Sequence, residues 1–195
     1  MNRKQLTAWI LLYNFIGLAV AVGGWLWEVL LFLVKEHRFV NRGFLYGPYL
    51  PVYGIGAILL SVLFYYRKPK GMHSFFLSMW GGSLTELAAG WLLWHIFHRK
   101  YWDYSGYPLN LSGYICLFSA LGFGVFGVLW NKWAGPFLLH LWDRLSCQVQ
   151  FLTIGLFDLA LLTDFIFSLM QPNAGTDITF ASTRLFGNEA YWLDF

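Results

Sequence analysis

The chain has 195 residues, of which 58% are hydrophobic, 21% aromatic and 12% charged, with a formal net charge of +3. A soluble domain carries about 25% charged residues, so this chain has too little charge to cover a soluble surface. High hydrophobicity excludes disorder, two cysteines (Cys116 and Cys147) exclude a disulfide scaffold, and the small net charge argues against nucleic-acid binding; an integral membrane protein remains.

A helix needs about 20 apolar residues to cross the hydrocarbon core. The first such stretch covers residues 6–34, interrupted by Asn14 and Glu28. Arg3-Lys4 and Ala19-Val20-Ala21 imitate a cleavable leader, but the apolar run continues through Trp25 and Trp27, too far for an h-region. The second stretch, 52–66, is short and follows a Gly/Pro-rich segment. The third, 74–97, holds Glu86 near its centre. The fourth is 113–130, and the fifth, 151–170, holds Asp158 and Asp164. Residues 132–150 are too short and too charged to cross, and read as an amphipathic helix in the interface. The fold class expected is all-α: a polytopic transmembrane bundle of five spans, with six as the alternative. Residues 1–170 form the membrane domain and 171–195 a polar, exposed tail. Flanking Lys and Arg divide almost evenly between the two sides, and only the Arg67-Lys68-Lys70 cluster and the first flank favour an N-terminus inside.

A carboxylate at mid-membrane costs about 2.5–3.5 kcal/mol on insertion scales, so it must face helices, water or a partner. Asn14, Gly17, Ala21, Gly24 and Glu28 share one face of the first helix. Met79, Gly82, Glu86, Ala89 and Leu93 share one face of the third. Small residues let backbones approach and polar ones bond across the seam, so these two helices are expected to pair. The competing reading is a packing seam with satisfied polar groups; it weighs most for Glu28, near Lys35 and Arg38, and least for Glu86.

Two connecting segments are unusual. Residues 41–56 are apolar and aromatic yet rich in Gly and Pro, which forbids a regular helix. Such backbone is tolerated at membrane depth only inside protein or along a cavity, so a re-entrant or interfacial segment is expected. Residues 101–113 carry the aromatics of an interface belt, together with Asp103, Ser105 and Asn110, which can bind a ligand or cap the fourth helix.

Together these segments resemble a bacterial family of ABC-transporter type IV, or CmpB-like, permeases. The resemblance rests on Trp25-Leu26-Trp27-Glu28; on Asn41 to Leu45, Gly47-Pro48, Pro51 and Tyr53-Gly54; on Thr85-Glu86 and Gly90-Trp91; and on Trp102 to Ser105 with Asn110-Leu111 and Gly113. Asp164 and Ser168 look like the Asp and Ser late in the family's last span. The likeness covers roughly residues 10–170. Two positions depart from it: Trp94 stands where the family often has a second Glu, and Gly122-Phe123-Gly124 where it often has Trp-Gly.

The resemblance implies a transporter permease in the bacterial cytoplasmic membrane. The chain has no G-x-x-x-x-G-K-[ST] phosphate loop, so an ATP-driven role needs a separate ATPase subunit. The expected partners are the lipid bilayer, that ATPase and a homo-oligomeric copy, with no nucleic acid. No cofactor is expected. His95 and His98 with Asp103 fall short of a metal site, and Cys116 reads as packing. The expected substrate-binding residues are Asn14, Glu28, Asn41, Arg42, Tyr46, Glu86, Trp102, Asp103, Tyr104, Ser105 and Asn110. The alternative is an intramembrane enzyme or lipid-binding protein, with Glu86 or Asp103 as acid-base group and Asn41-Arg42 on an anionic head group. No Ser-His, Cys-His or His-Glu pair stands at a catalytic spacing to favour it.

Overall fold

In the computed structural model, which describes residues 2–175 and 177–180, all the regular elements are helical. α1 is Arg3–Glu36, α2 Pro51–Arg67, α3 Met72–Phe97, α4 Leu117–Leu129, α5 Gly135–Asp143 and α6 Cys147–Met170. Local chemistry sets several boundaries. Asn2 and Gln5 form a capping box that starts α1. Pro51 opens α2, where its missing N–H costs nothing. Cys116 N donates to the Ser119 hydroxyl and Ser119 N to the Cys116 sulfur at the start of α4, and the Ser146 hydroxyl accepts from Val149 N at the start of α6.

α1 and α6 are long and apolar enough to cross a membrane. The five spans expected from sequence are met by these two. α3 has the length, 26 residues, but its apolar run is diluted by Ser74, Ser78, Ser83 and Glu86, all of which it buries. Its outer face is apolar: Trp80, Leu84, Trp91 and Leu92 are exposed, and α6 exposes Leu152, Leu156, Leu159, Leu162 and Ile166. Exposed apolar area on this scale needs lipid or a partner to cover it.

The expected pairing of α1 with α3 is replaced by a different order. The small stripe of α1 docks on α2, which packs against both α1 and α3. A Cβ on Gly54 would lie 2.5 Å from the Gly17 carbonyl oxygen, so the two backbones touch there. Gly24 makes room for the Tyr53 ring, at 2.5 Å from where its own Cβ would be. One face of α3 meets α4 and the turn that follows it in antiparallel register: Gly82 against Phe123, Ser78 against Gly127, Ser74 against Asn131. Each step of four residues down α3 matches four up α4, and a small residue faces a larger one at each level. Helical period identifies the face that packs but not the neighbour it packs on.

Two further expectations are corrected. The stretch read as a separate interfacial helix is continuous with α4. A π-helical turn, Trp130–Ala134, joins α4 to α5, with Gly135 N–H donating to the Trp130 carbonyl. The wider turn accommodates Pro136, which has no N–H and would crowd the preceding turn of an α-helix. The expected exposed tail is also wrong for its beginning. Asn173 is buried and Phe180 N donates to the Lys100 carbonyl at 2.8 Å. The remainder of the tail, residues 181–195, lies outside the described residues.

Residues 41–50 form no helix, as Gly43, Gly47 and Pro48 require. The segment turns back along α1, and Leu50 N donates to the Ala21 carbonyl at 3.0 Å. Ala21 lies fifteen residues before the end of α1 at Glu36, or about 22 Å along the axis. α2 therefore begins far down the side of α1, which explains its 17 residues. Arg42, Phe44, Leu45, Tyr49 and Leu50 are buried.

Candidate functional site

Arg42 sits 3% exposed at the turn of the 41–50 segment. All its nitrogens are engaged. Nε donates to Glu28 Oε2 at 3.2 Å, one terminal nitrogen to the carbonyls of Asp177 (2.8 Å) and Ile178 (3.2 Å), the other to that of Tyr101 (2.7 Å). Its guanidinium also lies over the Phe32 ring at 4.3 Å. The other oxygen of Glu28 accepts from the Tyr53 hydroxyl at 3.0 Å. Glu28 is thus satisfied on both oxygens, by a cation and by a phenol.

Glu86, on α3, is 8% exposed and differs from Glu28. Oε1 accepts from the Tyr104 hydroxyl at 3.1 Å. The Ser119 hydroxyl also approaches Glu86, but it donates to the Cys116 carbonyl at 3.1 Å, and Oε2 is left without a hydrogen-bond partner. Glu86 forms no ion pair among the described residues. Tyr53 and Tyr104 both feel the charges of Glu28 and Glu86, so these four groups form one electrostatic cluster. Burial pushes the Tyr104 phenol well above its ordinary range and Glu86 adds to the shift, so Tyr104 is a neutral donor.

Tyr104 is held by an ordered loop. Its N–H donates to the Gly113 carbonyl at 2.8 Å. Gly113 has φ of +72°, and a Cβ there would collide with the Asp103 carboxylate. Asp103 pairs with the buried Lys100 at 3.6 Å and accepts from Ser105 N and from the Ser105 hydroxyl. Lys100 Nζ also donates to the Ser112 carbonyl at 3.0 Å. Asn110 Nδ2 donates to the carbonyls of Ser105 and Tyr107, and its oxygen accepts from Gly113 N. Trp102 Nε1 donates to the Tyr114 carbonyl at 2.8 Å, and both rings fit against Gly90. Of the expected loop residues, Tyr104 therefore reaches Glu86, while Trp102, Asp103, Ser105 and Asn110 shape the loop that delivers it.

The remaining expected residues lie elsewhere. Asn14 donates to Asp158 Oδ2 at 2.7 Å and clamps α1 to α6. Asn41 accepts from Trp25 Nε1 at 2.7 Å and donates to the Tyr46 carbonyl at 2.6 Å. Tyr46 N and Gly47 N donate to Asp164, which also accepts from Ser168. Asn173 Nδ2 then serves the carbonyls of Asn41, Gly43 and Leu45 at 3.1–3.2 Å. Three contributors escaped the sequence reading: Tyr53, Lys100 and Asn173. Tyr53 stood within the Tyr-Gly pattern and could have been found there. Lys100 looked like one more flanking base, and nothing in the local pattern marked Asn173.

The described residues contain no group of three or more His, Cys, Asp or Glu side chains arranged for a metal ion. No curated protein and no solved structure matches the chain. One family model does, over residues 13–169, a range that takes in Asn14, Glu28, Arg42, Tyr53, Glu86 and Tyr104. The chain belongs to the family described as "Putative ABC-transporter type IV".

Proposed function

We propose that this protein is the membrane-embedded, permease-type subunit of a transport system, energised by a separate ATPase. Family membership supports a transport role. The observation that carries the reading is Glu86, a buried carboxylate with one unpartnered oxygen, beside Glu28, Tyr53 and Tyr104. An intramembrane ionisable group that is not consumed by internal pairing marks a substrate path by default. The non-helical 41–50 segment beside this cluster is the kind of discontinuous backbone from which transporters build binding sites.

In this reading the chain crosses the bacterial cytoplasmic membrane five times, by α1, α2, α3, the joined helix 117–143 and α6. The 26 residues of α3 reach about 39 Å, enough for a hydrocarbon core of about 30 Å. The buried serines of α3 then face the bundle while its tryptophans face lipid. Glu86 and Tyr104 face the substrate, and the Glu28–Arg42 pair beside them holds the cluster in place. Trp102, Asp103, Ser105 and Asn110 act through the loop, Asn41 and Tyr46 through the 41–50 segment, and Asn14 through the α1–α6 clamp.

Purification in mild detergent from the native membrane tests the reading. A stoichiometric ATPase should accompany the protein. Repeated recovery of a lone homo-oligomer with bound lipid would overturn the proposal. A cysteine-accessibility scan of residues 41–56 tests the path itself, since inaccessibility from both sides at every position is incompatible with it.

A further inference from the structure

A cleft of about 200 Å³ opens between α3, the 109–116 stretch and the first turns of α4. Its walls are Met79, Trp80, Leu109, Ile115, Leu117 and Ala120. That volume is far above the ~10–15 Å³ that admits one water, and a wall this apolar does not hold water well. Two polar groups interrupt it. Cys116 lines it with its thiol turned to the cap of α4. Ser83 also lines it, is 6% exposed, and its hydroxyl has no hydrogen-bond partner. Glu86 is one helical turn further along the same face of α3, where side chains three apart are neighbours. Ser83 Oγ, in the wall of the cleft, and Glu86 Oε2, one turn beyond that wall, are both buried without a hydrogen-bond partner.

The sign of the ligand follows from the neighbouring charges. Both cations buried among the described residues are matched already: Arg42 by Glu28 and three carbonyls, Lys100 by Asp103 and a carbonyl. An anion entering here would meet Glu86 and no uncommitted buried cation. A cation with N–H donors would give Glu86 the ion pair it lacks and Ser83 a donor. The rest of the ligand must be apolar to fill the cleft.

We propose that this cleft and Glu86 form a binding site for an amphiphilic ammonium, a primary amine carrying a short hydrocarbon chain. The alkyl chain lies between Trp80, Leu109, Leu117 and Ala120. The ammonium donates to Glu86 Oε2 and Ser83 Oγ. This deepens the permease reading by giving its substrate a chemical class, and it rests on that reading only for the word substrate.

The test is calorimetric titration of the full-length protein in phosphatidylcholine nanodiscs, with empty discs subtracted. The probes are hexylammonium, hexanol and hexanoate. Hexylammonium should saturate one site and bind at least tenfold more tightly than either control. Glu86→Gln should erase that advantage, so that hexylammonium binds no more tightly than hexanol, while Ser83→Leu should fill the cleft and weaken both. Equal affinity for hexanol and hexylammonium, preference for hexanoate, or heats equal to those of empty discs would each overturn the proposal. The three-probe comparison needs no variant, so it decides even where a substitution prevents folding. An ATPase that copurifies with a protein blind to the amine would sink the ligand class and leave the permease reading standing. Amine binding without an ATPase would do the reverse.

Discussion

Glu28 and Glu86 belong to one cluster and have opposite situations. Glu28 is a quarter exposed and has both oxygens served, one by a guanidinium and one by a phenol. Glu86 is more deeply buried and has one oxygen served, by a neutral phenol. Burial of a carboxylate is costly unless it is paired and hydrogen-bonded. The satisfied group is therefore the one that holds the fold together, and the unsatisfied one is the group on which the proposed site rests. Sequence position already separates them, since Glu28 lies near Lys35 and Arg38 whereas Glu86 stands near the centre of its apolar stretch with no base close by.

The comparison can be broken most severely at Arg42. Arg42→Ala leaves Glu28 without its cation and uncovers three carbonyls, and should destabilise the protein by roughly 3–5 kcal/mol in a denaturant melt. Arg42→Lys should recover only part, because one ammonium cannot reproduce the fork that serves four acceptors. Next comes the seam beside Glu86. Gly82→Leu drives a side chain into Phe123, whose ring lies 2.5 Å from an ideal Cβ, and should cost about 1–3 kcal/mol or more. Third, Tyr53→Phe removes a hydrogen bond to a paired carboxylate and should cost about 1–2 kcal/mol in the same melt. The Asn14–Asp158 clamp is weaker: a double-mutant cycle should give a coupling near 0.6 kcal/mol, the usual size of such bonds in membrane bundles. Glu86→Gln should be smallest of all, within about 0.5 kcal/mol, because the amide keeps the Tyr104 bond and no ion pair is lost. A large stability loss at Glu86 with none at Arg42 would invert the assignment of roles.

Helix positions were legible because apolar runs and their flanks are local properties. α1, α3 and α6 fall within a few residues of the stretches read from sequence. The break at 41–50 was legible too, since Gly43, Gly47 and Pro48 act on their own backbone. The neighbours were not legible. The stripe of α1 says that something approaches closely, and only the return of the chain to Ala21 decides that α2 fills the place. The π turn was hidden because Pro136 signals a helix start as readily as it signals a repaired interior. Glu28, Arg42, Glu86 and Tyr104, which the structure brings into neighbouring pairs, were singled out from residue type and pattern. Their bonding was not, because pairing depends on which loop lies over which helix. Asp103, Ser105 and Asn110 illustrate the limit: polar groups in a loop look alike whether they bind a ligand or their own backbone.

Asn173 has a consequence for the order in which the protein is completed. Its amide and backbone N–H serve four carbonyls of residues 41–45. Those carbonyls belong to the connection between α1 and α2, and their donor follows α6. During synthesis the early loop must wait, solvated or otherwise occupied, until more than a hundred further residues have emerged. Docking of Asn173 therefore ties the chain beyond α6 back to that early loop, as a clasp closes a bracelet. A chain cut after Met170 would retain α1 to α6 and still lack the clasp.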